Sequence, residues 1–503
     1  MPANIGILAA EVYFPKTFIS QTVLEKSDGV PGKYTKGLGQ FSMAVCDDAE
    51  DVNSLALTVT QRLIERTNLD LKKVGFLEVG SESLVDKSKS TKSVLMSLFE
   101  ESGNFDLAGI DVKSACYGGT AALFNAINWL ESSCCDGRLA VVVAADIAVY
   151  ATPSTQPTGG AGAVALLLGP EAPLVIDPAS TPSLTLVPPP LFAGLRVCAM
   201  RHHYDFYKPV MRSVFPEVDG QLSIACYKEA LLTCYNLYRS KVEKATAVRL
   251  KRHIVGDASH SGFPIYFACF HSPFCRLVAK SFGWLALQDT KVALSRSRAC
   301  LNNNNNAPTN NNACETINGS APAEVAIVQQ LAPVVHEADS TQVSREVDAL
   351  CVAATRDLFA SKVEPGLRIS SQVGNMYTAS LYSCLISLAC SVPEAELRGR
   401  RVLMFSYGSG YTASMFSLRI SEKADFGSVF GLPCNSPLDR LALRTPIDHA
   451  QFLQRIQSRE ASVDKAPVEF PSEDLEERFF PGTYYLARID EKHRRFYQRT
   501  PTH

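Results

Sequence analysis

Nowhere in the 503 residues does an apolar run reach the ~18–20 residues that a membrane-spanning helix needs. The longest candidate, LAVVVAADIAVYA (139–151), is too short and is interrupted by Asp146. Charge of one sign is not in excess either: 49 Lys and Arg stand against 51 Asp and Glu, a formal net charge of -2. With no long Lys/Arg stripe, this balance argues against a nucleic acid or other polyanion as partner. No C-x-x-C pair occurs and metal-ligand spacing is absent, so no metal is expected. The 15 cysteines are odd in number and scattered singly apart from Cys134 and Cys135, which reads as free thiols in a reducing compartment. The opening MPANIGILAAEVYFP lacks the charged leader and small-residue cleavage site of a secretory signal and the Arg-rich bias of a transit peptide. The final RTPTH carries no retention, peroxisomal or prenylation address. The expectation is a cytoplasmic enzyme-sized protein with no membrane attachment.

What is present is an alternation of β-prone and helix-patterned segments, which argues for an α/β fold. Residues 52–67 carry apolar residues at helical spacing, 72–80 read as a buried strand, and 91–103 as a helix stopped by Gly103. A strand over 110–115, a helix over 120–133 and buried strands over 138–146 and 162–169 follow. A similar order returns later: LRISS (367–371) is strand-like, 372–390 is a turn leading into a helix, and 400–410 and 411–420 are strands. The repetition, about 260 residues apart, suggests two similar halves packed together. We place them at 1–174 and 175–503. Three stretches read as decoration: Pro-rich 181–194, a disordered Asn-rich insertion near 301–320, and polar, irregular 421–475. The segment 479–497 reads as a packed strand with a charged tail.

The stretch DVKSACYGGTAALF (111–124) puts Cys116 between a strand and a helix. Unpaired N–H groups at a helix N-terminus stabilise a thiolate, and Gly118 and Gly119 let backbone approach a bound group with N–H donors free for an oxyanion. His271 ends the apolar run IYFACFHSP (265–273), where a polar group points into the crevice of an α/β sheet. Glu82 follows the strand GFLEVG (75–80), where burial would raise its pKa into the range of a general base, with Asp86 nearby. Asn375, in GNMYT (374–378), and Ser409 occupy turns of the second half. On residue type alone each has a plain alternative: a structural cysteine, a hydrogen-bonded core histidine, a solvated turn acid.

These residues, with their neighbours, carry a resemblance. GKYTKGLGQ (32–40), LEVGSESLVDKSKS (77–90), ACYGGTAALFNAINW (115–129), DIAVYA (146–151), PTGGAGAVALL (157–167), YDFYKP (204–209), VDGQLS (218–223), FHSPFCRLVAK (270–280), VGNMYTASLY (373–382), FSYGSG (405–410) and GTYYL (482–486) occur in order along the chain. Together they resemble the eukaryotic hydroxymethylglutaryl-CoA synthases of the thiolase-like superfamily. The resemblance implies a five-layered αβαβα sandwich of two duplicated halves. It also implies a homodimer and a condensation of acetyl-CoA with acetoacetyl-CoA and water, early in the mevalonate route, with no cofactor. It assigns Cys116 to carry the acetyl group, Glu82 to remove a methyl proton, and His271 to position and polarise the ketone. It places Thr158, Ser223, Arg276, Lys280, Asn375 and Ser409 at the substrate, the last with Cys116 as backbone donors to the oxyanion. Tyr150 and Asp205 are implied as supports, and Asp86, four residues after Glu82, is expected to be a further one on its nearness alone.

Where the family commonly has His, this chain has Ala199, and where animal members have Asn it has Ser154; the loop before GKYT is one residue short, at Pro31. Two other readings stay in view. A thiolase or ketoacyl synthase would use a different partner set without a glutamate base, against Glu82 and His271. A non-catalytic CoA-binding relative would not need all three reactive residues.

Overall fold

The computed structural model describes residues 4–176, 195–246, 265–303, 322–340, 344–434 and 436–502. The Pro-rich connection at 181–194 and the Asn-rich stretch from 304 to 320 lie outside the described residues.

Among the described residues, ten strands form the principal sheet. In the first half these are β1 (Gly6–Tyr13), β2 (Val74–Gly80), β3 (Asp111–Val112), β4 (Leu139–Ala148) and β5 (Gly160–Gly169). β6 (Leu174–Ile176) follows, and then β7 (Arg196–Met200), β8 (Phe267–Phe270), β9 (Arg401–Gly408) and β10 (Thr412–Ile420). The first half runs β3-β2-β4-β5-β1, and the second β8-β9-β10-β7. In both, a parallel pair (β2 with β4, β8 with β9) is extended by two antiparallel neighbours. A repeat is thus present as strand order, but its parallel pair in the second half is made by β8 and not by the strand expected at 367–371. β6 joins the two, pairing Leu174 with Ile7 on one side and with Ile420 on the other.

The central strands are near-continuous apolar runs because both of their faces are covered. β4 and β5 are buried along almost their whole length. Helix α1 (Val52–Thr67) packs on β1, β4 and β5, its start fixed by a reciprocal cap between Asp51 and Ser54. Helix α2 (Gly118–Glu131) packs on β2 and β4, and α3 (Gly220–Thr246) on β7 and β10, with α4 (Cys275–Asn303) beside it. Helix α5 (Ser380–Ser391) packs on β8. α2 and α5 meet in the middle layer, where Thr120 and Tyr382 share a hydrogen bond of 2.9 Å. The result is the five-layered arrangement, with one apolar core running through both halves.

Four expectations need correction. Residues 91–103 are a short helix, Thr91–Leu95, followed by 3-10 turns rather than one helix, though Gly103 does stop them in a left-handed conformation. The strand expected at 367–371 is helical backbone, Glu364–Leu367 and Ser370–Val373, because a short buried apolar run does not by itself distinguish strand from helical turn. The region 421–475 is not irregular: it holds the helices Phe426–Phe430, Pro437–Ala442 and His449–Ala461, the last with an Asp448–Gln451 capping box. The strand expected within 479–497 is a hairpin, Tyr484–Ile489 against Arg495–Arg499.

Candidate active site

Cys116 stands between β3 and α2. Ala115 before it is held at φ 44°, a left-handed conformation that costs a non-glycine residue energy and turns the next side chain out of the strand direction. The sulfur enters a small cluster of Ala148, Tyr150, Phe206 and Tyr377. The two glycines behind it serve close packing. A Cβ on Gly119 would lie 2.6 Å from the carbonyl oxygen of Thr378, and one on Gly80 2.5 Å from the Gly118–Gly119 backbone. The N–H of Gly118 is already spent on the Ala115 carbonyl at 3.1 Å, so it is not an oxyanion donor. The backbone N–H groups of Cys116, Gly119 and Ser409 have no acceptor among the described residues, and those of Cys116 and Ser409 are the pair the resemblance implies as oxyanion donors.

Glu82 reaches the sulfur directly: the Cys116 thiol donates to Glu82 Oε1 at 3.2 Å. Burial pushes the Glu82 carboxyl up to about 7, with Lys208 opposing and Asp146 reinforcing the shift. The expectation of a thiol ionised by the helix terminus is overturned. Burial, and then the charge of Glu82, hold Cys116 well above the ordinary thiol range. A carboxylate poised near neutrality and bonded to a neutral thiol is an acid–base pair in place before any ligand arrives.

Asp146 fixes this geometry. Its Oδ1 accepts from the Ser81 hydroxyl at 3.0 Å, the Glu82 N–H at 2.9 Å and the Ser83 hydroxyl at 2.8 Å. Its Oδ2 accepts from the N–H of Thr378 at 3.0 Å and from the Thr378 hydroxyl. One buried carboxylate therefore ties the Glu82 turn to the turn that opens α5.

His271 follows β8 directly and is buried; its backbone N–H donates to the Phe405 carbonyl at 2.8 Å, and the Tyr227 hydroxyl donates to its carbonyl at 2.8 Å. Burial alone pushes the imidazole down to about 3, so at neutral pH it is a neutral ring with one N–H to give. β8 lies in parallel register with β9, and β9 continues to Gly408, where a Cβ would meet the Ser114 carbonyl and the Tyr117 N–H at 2.6 Å. This contact brings the Ser409 turn against the Cys116 loop. Asp205 pins the same turn: it accepts from the Gly410 N–H at 2.7 Å, the Tyr407 hydroxyl at 3.0 Å and the Ser223 hydroxyl at 3.2 Å. Asn375 is buried, accepts from the Tyr377 N–H at 2.9 Å and donates its own N–H to Gly159 at 3.1 Å.

The remaining residues spread outward. The Tyr150 hydroxyl takes a bond of 3.1 Å from Tyr377 and lies beside the hydroxyl of Thr158. Arg276 and Lys280 lie on the first turns of α4; the Arg276 N–H bonds Leu38 of the GKYTKGLGQ loop at 2.8 Å, and Lys280 pairs with Asp348 at 2.8 Å. Asp86 is not brought to the site. It is exposed and accepts from the N–H groups of Ser88 and Lys89, both at 2.7 Å. Ala199 lies in β7 opposite Ala413.

Two residues escaped the sequence reading. Asp146 registered as a charge breaking an apolar run and as the start of DIAVYA (146–151), with no role assigned, yet a lone carboxylate inside a buried strand is itself a signal, since it must be fully hydrogen-bonded to be there. Lys208 lies in the YDFYKP segment, and its Nζ is 3.8 Å from Glu82 Oε2. No spacing rule links positions 82 and 208; only the fold does. Among the described residues no His, Cys, Asp or Glu cluster could hold a metal, and no helix is long and apolar enough to cross a membrane.

Known proteins agree with this architecture. The family described as hydroxymethylglutaryl-coenzyme A synthase N terminal matches residues 1–173, and its C-terminal counterpart residues 190–500. The mitochondrial hydroxymethylglutaryl-CoA synthase of Sus scrofa is 45% identical over 99% of this chain and 90% of its own length. The cytoplasmic hydroxymethylglutaryl-CoA synthase of Homo sapiens is 43% identical over 100% of this chain and 88% of its own. Among solved structures, MvaS in complex with 3-hydroxy-3-methylglutaryl coenzyme A superposes with a TM-score of 0.74 at 29% identity, covering 99% of this chain and 100% of that one. An enzyme with a thiolase-like fold, this chain belongs to the hydroxymethylglutaryl-CoA synthase family.

Proposed function

We propose that this enzyme condenses acetyl-CoA with acetoacetyl-CoA and water, giving 3-hydroxy-3-methylglutaryl-CoA and CoA through an acetyl group carried on Cys116. The observation that carries the reading is the hydrogen bond of 3.2 Å between the Cys116 thiol and a Glu82 carboxyl whose burial lifts it to about 7. As sulfur attacks the acetyl-CoA carbonyl, its proton passes to Glu82. The N–H groups of Cys116 and Ser409 hold the developing oxyanion, and CoA leaves as the thiol with that proton. Glu82, ionised again, removes a methyl proton from acetyl-Cys116. The enolate carbon attacks the ketone carbon of acetoacetyl-CoA, whose oxygen accepts a hydrogen bond from the neutral His271 ring. The proton that Glu82 removed is the one the new hydroxyl needs, and His271 carries it to the oxygen. Water then splits the thioester and restores the thiol.

Asn375 and Thr158 would line the acyl end of the site, with Ser223 acting through Asp205 and Tyr150 through Tyr377. Arg276 and Lys280 would meet the CoA phosphates, Lys280 exchanging Asp348 for the ligand. The chemistry is thioester exchange and carbon–carbon bond formation, which calls on no metal or organic cofactor. Action in the cytoplasm, as a homodimer, at an early step of the mevalonate pathway completes the reading. The test is mass spectrometry after brief exposure to acetyl-CoA, with loss of the acetoacetyl-CoA enol absorbance as the turnover assay. An acetyl on the peptide containing Cys116 is expected. Undiminished condensation by Cys116→Ala would refute it.

A further inference from the structure

Lys208 takes no part in the acyl-transfer steps, yet its ammonium lies 3.8 Å from Glu82 Oε2 while the other oxygen of the same carboxylate faces the Cys116 sulfur at 3.2 Å. The lysine is held in place from both sides. Three residues earlier, Asp205 is bonded to the Gly410 turn, to Tyr407 and to Ser223. The Lys208 Nζ itself lies 4.9 Å from the ring centre of Tyr377 and 5.7 Å from that of Phe206.

The charges around Glu82 explain why a cation is needed there. The groups facing it are the Cys116 thiol, the Tyr150 and Tyr377 hydroxyls, the Asp146 carboxylate and Lys208. Of these, Lys208 alone is positive. Asp146 is fully buried directly behind the Glu82 backbone. Two carboxylates this close disfavour each other's charged forms, and an opposite charge at salt-bridge range offsets this. The Lys208 side chain is 20% exposed and the Glu82 side chain 6%. The pair lines a cavity of about 180 Å³ whose other charged lining residues are Asp48, Glu50, Asp51, Arg459 and Arg495.

We propose that Lys208 is the positioning residue of the base: its ammonium anchors Glu82 Oε2, keeps Oε1 turned toward the sulfur, and balances the charge of Asp146. The proposal rests on the reading of Glu82 as the base. The experiment compares pH profiles of kcat/KM for the full-length wild type, Lys208→Met, Lys208→Gln and Lys208→Arg, with a melting curve and Cys116 acetylation measured for each. Loss of the cation is expected to move the acid limb upward by about one to three pH units in both neutral variants, with kcat at pH 7 down roughly tenfold or more and partly recovered in alkali. Arginine is expected to keep the limb near its wild-type position. A neutral variant that melts like the wild type but keeps the wild-type limb overturns the proposal, whatever its kcat. So does an arginine variant displaced as far as methionine. A wild-type enzyme that condenses while Glu82→Gln is equally active refutes the reading of Glu82 instead, and with it this role for Lys208.

Discussion

Asp146, at the end of β4 in the first half, accepts a hydrogen bond of 3.0 Å from the backbone N–H of Thr378, in the turn that opens α5 of the second. With its bonds to Ser81, Glu82 and Ser83, this carboxylate satisfies five donors in a buried place. Replacing it by alanine leaves those donors without partners. Asp146→Ala is expected to lose more than about 3 kcal/mol in urea unfolding, since each unsatisfied buried polar group costs ~1–3 kcal/mol. Asp146→Asn, which keeps the shape but only one acceptor oxygen, is expected to lose less. Both are expected to lower kcat, because the N–H that aims Glu82 is released.

The raised Glu82 carboxyl sets a pH signature. The free enzyme needs Glu82 ionised, so kcat/KM is expected to climb with pH through about 7, and Glu82→Gln is expected to lack both the activity and that limb. Stability moves the other way. The folded value of about 7 lies above the ordinary 4.5, so the folded state holds a proton that the unfolded chain has released. That contribution is complete below 4.5 and is lost as pH rises through 7. Glu50, buried and likewise lifted to about 7, acts in the same direction. His271, pushed from 6.5 down to about 3, does the reverse: its contribution is present above 6.5 and lost as pH falls toward 3. Melting temperatures of wild type and Glu82→Gln from pH 4.5 to 8 should converge at the acid end and separate near 7, the variant gaining.

The turn that carries Ser409 depends on Asp205. With the Gly410 N–H held at 2.7 Å by Asp205, the neighbouring Ser409 N–H is fixed in direction. Asp205→Ala is expected to slow formation of the acetyl-enzyme by about 10²–10³, the size of losing one oxyanion donor. Rapid-quench measurement of acetyl transfer to Cys116 would show this, and a variant acetylated at the wild-type rate would exclude it. Asp205→Asn, which retains one acceptor for Gly410, is expected to fall between.

The fold was legible where pattern and burial agree. The Val-rich run of β4 could only be a strand covered on both faces, and the Cys116 junction followed from the β-prone run before it and the helical run after it. It was illegible where tertiary packing decides, as at Ile369, which links the helical turns Glu364–Leu367 and Ser370–Val373 and bonds Ser387 of α5. Helix His449–Ala461 could have been found, because Asp448 and Gln451 spell a capping box ahead of an amphipathic run. Within the site, residue type pointed to Cys116, Glu82 and His271, since each is reactive and ends a segment. The reversal of the Cys116 thiol could not be foreseen, because it comes first from burial and then from a carboxylate 34 positions away that only folding brings to 3.2 Å. Lys208 is the same case at longer range.

The three residues of β6 have a consequence for how the chain comes apart. Because Leu174 and Val175 are laddered to β1 on one side and to β10 on the other, the duplicated units share a seam of main-chain bonds. A polypeptide severed after the first repeat would expose two raw sheet margins and half a sandwiched helix layer. With that seam shared, the two repeats are expected to melt as one cooperative transition in calorimetry.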